Sequence, residues 1–165
     1  MRFTLIDRIL TLEASRSITA VKQLSSAEEY LADHFPGFPV MPGVLMLEAM
    51  VQASAWLMRV SNEFRFSTII LNQSRAVKFN NFVTPGNALK IVSEVTEWQD
   101  RYCTFKCSGT VDGVSTGSAR LKLEQFNLAD EHPDLADCDR KTIQFYKEQY
   151  ISLHARSDHT SVGAQ

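Results

Sequence analysis

Between Val44 and Arg59 apolar side chains fall on every side of a helical wheel, in a run VLMLEAMVQASAWLMR that holds neither Gly nor Pro. Good helix formers with no polar face predict an α-helix enclosed by the rest of the protein. Downstream the period shortens to that of strands. Residues 68–79, 88–98, 102–111 and 114–126 are rich in β-branched and aromatic residues and are read as four strands. Asp112-Gly113 is a strong hairpin signal between the last two. Thr84-Pro85-Gly86-Asn87 is a turn, and Gln99-Asp100-Arg101 is a looser one. The pattern predicts an α+β domain in which an antiparallel meander wraps one buried helix.

Upstream, residues 4–24 read as a short amphipathic start followed by strand-like alternation. Ser17–Val21 is its clearest strand and residues 14–16 are a turn before it. Ser25–Leu31 resembles a helical turn, with Ser26 as its N-cap and Glu28 and Glu29 at the favourable end. After Phe126 the character changes. Residues 127–140 carry five acidic side chains and few apolar ones. Residues 141–153 suit a short helix presenting Ile143, Phe145, Tyr146 and Tyr150, and the last dozen residues read as disordered. The chain therefore divides into a domain over 1–126 and a polar, partly helical or disordered extension over 127–165.

The segment 34–43, HFPGFPVMPG, fits neither period. It contains three of the five prolines. Proline fixes φ and removes donors, so the segment is expected to be a stiff, extended loop, the kind of support a positioned side chain needs.

Composition narrows the function classes. A net charge of -2 with mixed signs lacks the basic stripe of a nucleic-acid binder. The opening MRFTLIDRIL is too polar for a secretory leader, and 44–58 is too short and too polar to span a bilayer, so a cytoplasmic protein is expected. Cys103, Cys107 and Cys138 form an odd set, expected to be reduced thiols. Cys103 and Cys107 share one sheet face and have no second ligand pair, so they are read as core or surface thiols, with no metal site.

Three residues remain as candidate chemistry. Glu48 places a carboxylate within an apolar helix, where it is costly unless paired or put to use. Gln52 lies one turn later on the same face and can hydrogen-bond it. His34 opens the proline loop that leads into that helix, with Asp33 read as a bystander. Gly43 stands at the helix N-terminus, where free N–H groups meet the positive dipole end and a ligand can approach the backbone closely. Such a site can polarise a carbonyl oxygen.

The stretch HFPGFPVMPGVLMLEAMVQ, residues 34–52, resembles the signature of the FabZ-type 3-hydroxyacyl-[acyl-carrier-protein] dehydratases. FTLIDRIL at 3–10, AVKFNNFVTPGNAL at 76–89 and CSGTVDGVSTGSARLKL at 107–123 are similar to other segments of that family. The resemblance implies the hotdog fold, a long helix wrapped by an antiparallel sheet. It implies His34 and Glu48 as the catalytic pair, contributed by different subunits of a dimer. It also implies a thioester carbonyl bound by the Gly43 N–H, beside an acyl tunnel. Phe38, Val44 and Gln52 complete the expected substrate-contacting set. The implied reaction removes water to give a trans-2-enoyl thioester, with no metal or redox cofactor. The implied partners are an acyl carrier protein and further copies of the chain, as a dimer or a trimer of dimers.

Two departures bear on the carrier. Phe38 stands where the family very often carries a basic or polar residue, and Asn80-Asn81-Phe82 where it often has a pair of arginines and a proline, leaving Arg65, Arg75, Lys78 and Arg101 as candidates for docking an acidic carrier. Glu48 itself distinguishes the chain from related dehydratase-isomerases, which place Asp there. A hotdog thioesterase and a non-catalytic acyl-thioester-binding protein are the alternatives.

Overall fold

A computed structural model describes residues 3–155. Six strands form one antiparallel sheet: β1 (Arg8–Glu13), β2 (Ser17–Gln23), β3 (Thr68–Phe79), β4 (Ala88–Gln99), β5 (Tyr102–Val111) and β6 (Val114–Phe126). The central helix α1 (Gly43–Ser61) extends the expected run by one residue at its start and two at its end. The sheet order is β1-β2-β4-β5-β6-β3.

One face of the sheet carries the core. Buried and exposed positions alternate along β2, β4 and β5, as antiparallel strands with one wet face require. Ile18, Ala20, Leu89, Ile91, Phe105 and Leu121 form the inner face and meet Ala49, Met50, Ala53 and Leu57 of α1. Cys103 and Cys107 lie in this core as free thiols. Burial pushes the Cys103 thiol up to about 12. Ser54, fully buried in α1, donates to Met50 O at 2.8 Å and lies 2.7 Å from the Ser93 hydroxyl of β4, so its burial leaves no orphan.

The meander holds for β4-β5-β6 but not for β3. That strand pairs with β6 at the far edge, so β4 lies between β2 and β5. Turn chemistry accounts for the difference. Asp112 (φ 48°) and Gly113 (φ 80°) make the tight β5–β6 hairpin, and Asp100 (φ 49°) turns β4 into β5. Between β3 and β4, residues 80–87 are too long for such a hairpin, and the chain instead crosses to pair β4 with β2 and β5.

Two local expectations are corrected. Ser26 caps no helix. The turn is a 3₁₀ segment at Glu29–Leu31 without a side-chain cap, and Ser25 Oγ accepts from the Ala27 amide. Glu28 is held instead by Lys22 Nζ at 2.7 Å. Nor is the proline loop extended at its start. Phe35 and Phe38 exchange backbone hydrogen bonds across Pro36-Gly37, a turn that needs the positive φ of Gly37 (86°).

The C-terminal extension is more ordered than its composition suggests. Helix α2 (Ala136–Ala155) is longer than the expected 141–153; of the last dozen residues, 154 and 155 are helical and the others lie outside the described residues. Asp139 anchors its first turn, accepting from the amides of Leu128 and Ala129 and from the Ser67 hydroxyl. Burial opposes its charge, but these donors hold the carboxyl below the usual carboxylate range. Farther along, α2 lies on α1: Tyr146 packs edge-on to Trp56 and Tyr150 contacts both Trp56 and Phe64.

Candidate active site

His34 is half-buried at the start of the turn. Its Nδ1 lies 3.2 Å from Val40 O, and its backbone carbonyl accepts from the Val40 amide at 3.0 Å. With Nδ1–H donating to Val40 O, Nε2 is left with a free lone pair, the state a base requires. Met41 N donates to Val83 O at 2.8 Å and ties the loop to the segment before β4. The proline turn thus fixes the ring from both sides of the sequence.

Gly43 begins α1 directly after Pro42. The amides of Leu45 and Met46 both reach Pro42 O, while those of Gly43 and Val44 find no acceptor among the described residues. A Cβ at position 43 would lie 3.2 Å from the Phe79 ring, so glycine is what allows β3 to approach the helix end. His34, Gly43, Met46, Phe79 and Asn80 line one cavity of about 300 Å³. Asn80 and Asn81 are pinned there by hydrogen bonds to Ser115 and Thr116 of β6.

Glu48 faces elsewhere. Its carboxylate accepts from Gln52 Nε2 at 3.0 Å; Gln52 also donates to Phe3 O at 3.1 Å and accepts from the Leu5 amide at 2.9 Å. The expected pairing of Gln52 with Glu48 is present, and the same amide buckles the N-terminal segment onto α1. Glu48 and Gln52 line a second cavity of about 460 Å³, together with Trp56, Arg59, Ile69 and Tyr146. Phe38 and Val44 line neither cavity; both are exposed, and Phe38 packs edge-on against Phe82.

A single chain therefore brings His34 and Gly43 together, and Glu48 and Gln52 together, on separate openings. A family model described as a FabA-like domain matches residues 1–119. The chain belongs to the FabA-like family. Within that family it is of the FabZ type. It is 37% identical over 116 residues to the 3-hydroxyacyl-[acyl-carrier-protein] dehydratase FabZ of Levilactobacillus brevis, covering 70% of this chain and 78% of that protein. It is 32% identical over 121 residues to the FabZ of Ruminiclostridium cellulolyticum, covering 73% and 85%.

Solved structures support the fold of this FabZ-type chain. The dehydratase heterocomplex ApeI:P from Xenorhabdus doucetiae superposes with a TM-score of 0.66 at 19% identity, over 81% of this chain and 90% of that one. A hypothetical thioesterase protein with coenzyme A from Streptococcus pneumoniae superposes with a TM-score of 0.54 at 12% identity, over 72% and 84%. The shared architecture is the hotdog, as the resemblance implied. Among the described residues no helix is long and apolar enough to cross a membrane.

Sequence patterning did not single out Arg59 or the α2 residues Phe145, Tyr146 and Gln149 as lining a cavity with Glu48. For Arg59 a signal existed. Positions 48, 52, 55 and 59 follow the spacing of one helix face. For α2 none did, because docking of a separate element leaves no trace in local periodicity.

Proposed function

We propose that the chain dehydrates a 3-hydroxyacyl chain carried as a thioester on an acyl carrier protein, in sites built between two copies. The carrying observation is the separation of His34 and Glu48 onto different cavities of one chain, each with its own supporting hydrogen bonds. Two copies related by a two-fold axis can bring the His34 opening of one against the Glu48 opening of the other, and the symmetry then makes two equivalent sites. The unpaired edge of β3 favours such pairing. It is long, largely exposed, and displays Ile70, Leu71 and Phe79. A free edge of that kind is a template for another strand.

In this reading the thioester carbonyl oxygen receives the Gly43 N–H at the positive end of α1, which stabilises the charge that develops there. Nε2 of His34 removes the proton from the carbon beside that carbonyl. The C–O bond to the 3-hydroxyl breaks, the electron pair of the C–H bond becomes the new C=C bond, and Glu48 of the other copy donates the proton that lets water depart. Gln52 holds the Glu48 carboxyl toward the opening. The proton taken by His34 and that given by Glu48 are restored through solvent. Phe38 and Val44 are exposed beside the first opening and fit the approach of the carrier and its tether.

Hydration of a crotonyl thioester, followed as loss of enoyl absorbance, tests the chemistry in reverse. Turnover by the wild type that disappears in both His34→Ala and Glu48→Gln, with the folded state retained, is the expected result. Undiminished turnover in either variant would overturn the assignment of that residue. A comparison of coenzyme A with acyl carrier protein as the carrier tests the second half of the proposal, which expects the carrier-bound substrate to be preferred.

A further inference from the structure

Arg59 is the anomaly of α1. It is a cation only 6% exposed, and no carboxylate pairs with it among the described residues. Its Nε and Nη1 are buried without a hydrogen-bond partner among the described residues. The guanidinium carbon lies 3.7 Å from the centroid of the Tyr146 ring. That contact engages the group with Tyr146 and leaves Nε and Nη1 unanswered. A buried charge with unmet donors is costly, and a Met or Leu would tie α2 to α1 without that cost.

The surroundings indicate what answers it. Arg59 lies on the same cavity as Glu48, on the same helix face. The two are eleven positions apart, which at about 1.5 Å per residue places them about 16 Å apart along the axis. Past Gln52, which is engaged with Glu48, Phe3 and Leu5, the wall between them carries Val51, Ala55, Trp56 and Ile69, and Phe145, Tyr146 and Gln149 of α2 line the same cavity. The carboxyl that does the proposed chemistry thus stands at one end of a largely apolar trough and a guanidinium with no carboxylate partner among the described residues at the other. The α2 lining is outside the residues matched by the family model, which end at 119.

We infer that this trough receives the acyl tail, and that Arg59 binds a carboxylate at the tail's far end. The substrate class is then a 3-hydroxyacyl thioester with a second, terminal carboxylate. This rests on the dehydratase reading above and adds the tail's chemistry to it. A carboxylate matches the planar fork of a guanidinium through paired N–H···O bonds and cancels its charge. A methyl terminus would leave the donors unmet, which is the situation in which a buried polar site rejects the analogue that lacks the partner.

The test uses 2-octenoyl, 2-decenoyl and 2-dodecenoyl thioesters on one carrier, each paired with its ω-carboxy counterpart, with hydration followed in the wild type, Arg59→Met and Arg59→Lys. The wild type is expected to favour the ω-carboxy member at the best-fitting length by roughly 10- to 100-fold in kcat/KM, the range of one charged hydrogen-bonded contact. Arg59→Met should bring that ratio close to one, and Arg59→Lys should retain part of it. Equal use of both tails by the wild type, or preference for the methyl-ended tail, overturns the inference and leaves the dehydratase reading standing. An equal loss on both tails in Arg59→Met overturns it too, because a merely structural clamp behaves that way. Failure of the wild type to turn over any thioester overturns both readings. The wild-type ratio carries the test even if a variant does not fold.

Discussion

Gln52→Leu removes the side chain that joins the N-terminal segment to the catalytic carboxyl while keeping an apolar group of similar reach. Three hydrogen bonds disappear: from Gln52 to Glu48 and Phe3 O, and from the Leu5 amide to Gln52. They are unequal. Phe3 and Glu48 retain access to water, so each of those bonds is worth no more than about 0.5–1 kcal/mol net. Leu5 is 2% exposed, and its amide is left without an acceptor, a loss of about 1–3 kcal/mol. The total is about 2–5 kcal/mol, reduced by whatever the leucine gains in apolar contact. For a chain of this size each kcal/mol shifts Tm by about 2–4 °C, so a fall of about 4–20 °C is expected. Thermal unfolding at a fixed protein concentration reads it. Because the same amide orients Glu48, kcat on a crotonyl thioester should fall as well, with little change in KM. A variant that melts within 1 °C of the wild type would refute the energetic argument. Unchanged kcat in a destabilised variant would refute the positioning role.

Three further outcomes follow from the geometry. Gly117→Ala places a Cβ 2.7 Å from the carbonyl oxygen of Lys78, a backbone atom that cannot swing aside, so β3 and β6 must separate locally; a loss of about 1–3 kcal/mol in denaturant unfolding is expected. Gly43→Ala puts its Cβ 3.2 Å from the Phe79 ring, which must shift by a few tenths of an ångström into the His34 cavity, and kcat/KM should fall about tenfold or more with stability nearly unchanged. Asp139→Asn tests the anchor of α2. The folded carboxyl titrates below its unfolded value, about 3.9, so its charge contributes stability above that pH and loses the contribution as pH falls through the folded value. The wild type should therefore exceed the variant in Tm at neutral pH, and the gap should close in acid; a gap that widens in acid would contradict the sign.

Much of the fold was readable because its signals are local. The α1 run, the Asp112-Gly113 turn and the β-branched and aromatic content of the last four strands each depend on residues a few positions apart, and each element formed close to its expected limits. The place of β3 was not readable, since strand order is decided by pairing across long sequence separations and the pattern of β3 is equally compatible with a neighbouring β4. The Ser26 cap failed because the helical turn starts later, at Glu29, where Glu28 pairs with Lys22, and the local amide of Ala27 is taken by Ser25. The helix over 141–153 was legible, but its first turn was not: residues 136–140 lie in the acidic stretch, and Asp139 is held there by Ser67, far away in sequence, and by the Leu128 and Ala129 amides. Nor does the sequence announce that Tyr146 and Tyr150 meet Trp56 and Phe64.

The site was legible in part. His34, Gly43, Glu48 and Gln52 drew attention as a histidine on a rigid loop, a glycine at a helix start and a polar pair inside an apolar helix, and the hydrogen bond between Gln52 and Glu48 is formed. The distribution of His34 and Glu48 over two cavities is a property of three-dimensional packing that no spacing along the chain encodes.

The most direct measurement mixes two inactive proteins. His34→Ala and Glu48→Gln are unfolded together in equal amounts, refolded and assayed on a crotonyl thioester. If each site takes its histidine from one copy and its glutamate from the other, a mixed dimer contains one site with both groups intact. About half of the dimers are mixed and one of their two sites is restored, so about a quarter of wild-type activity should return. Activity that stays at the level of the separate variants, with mixed dimers shown to be present, would contradict a site shared between copies.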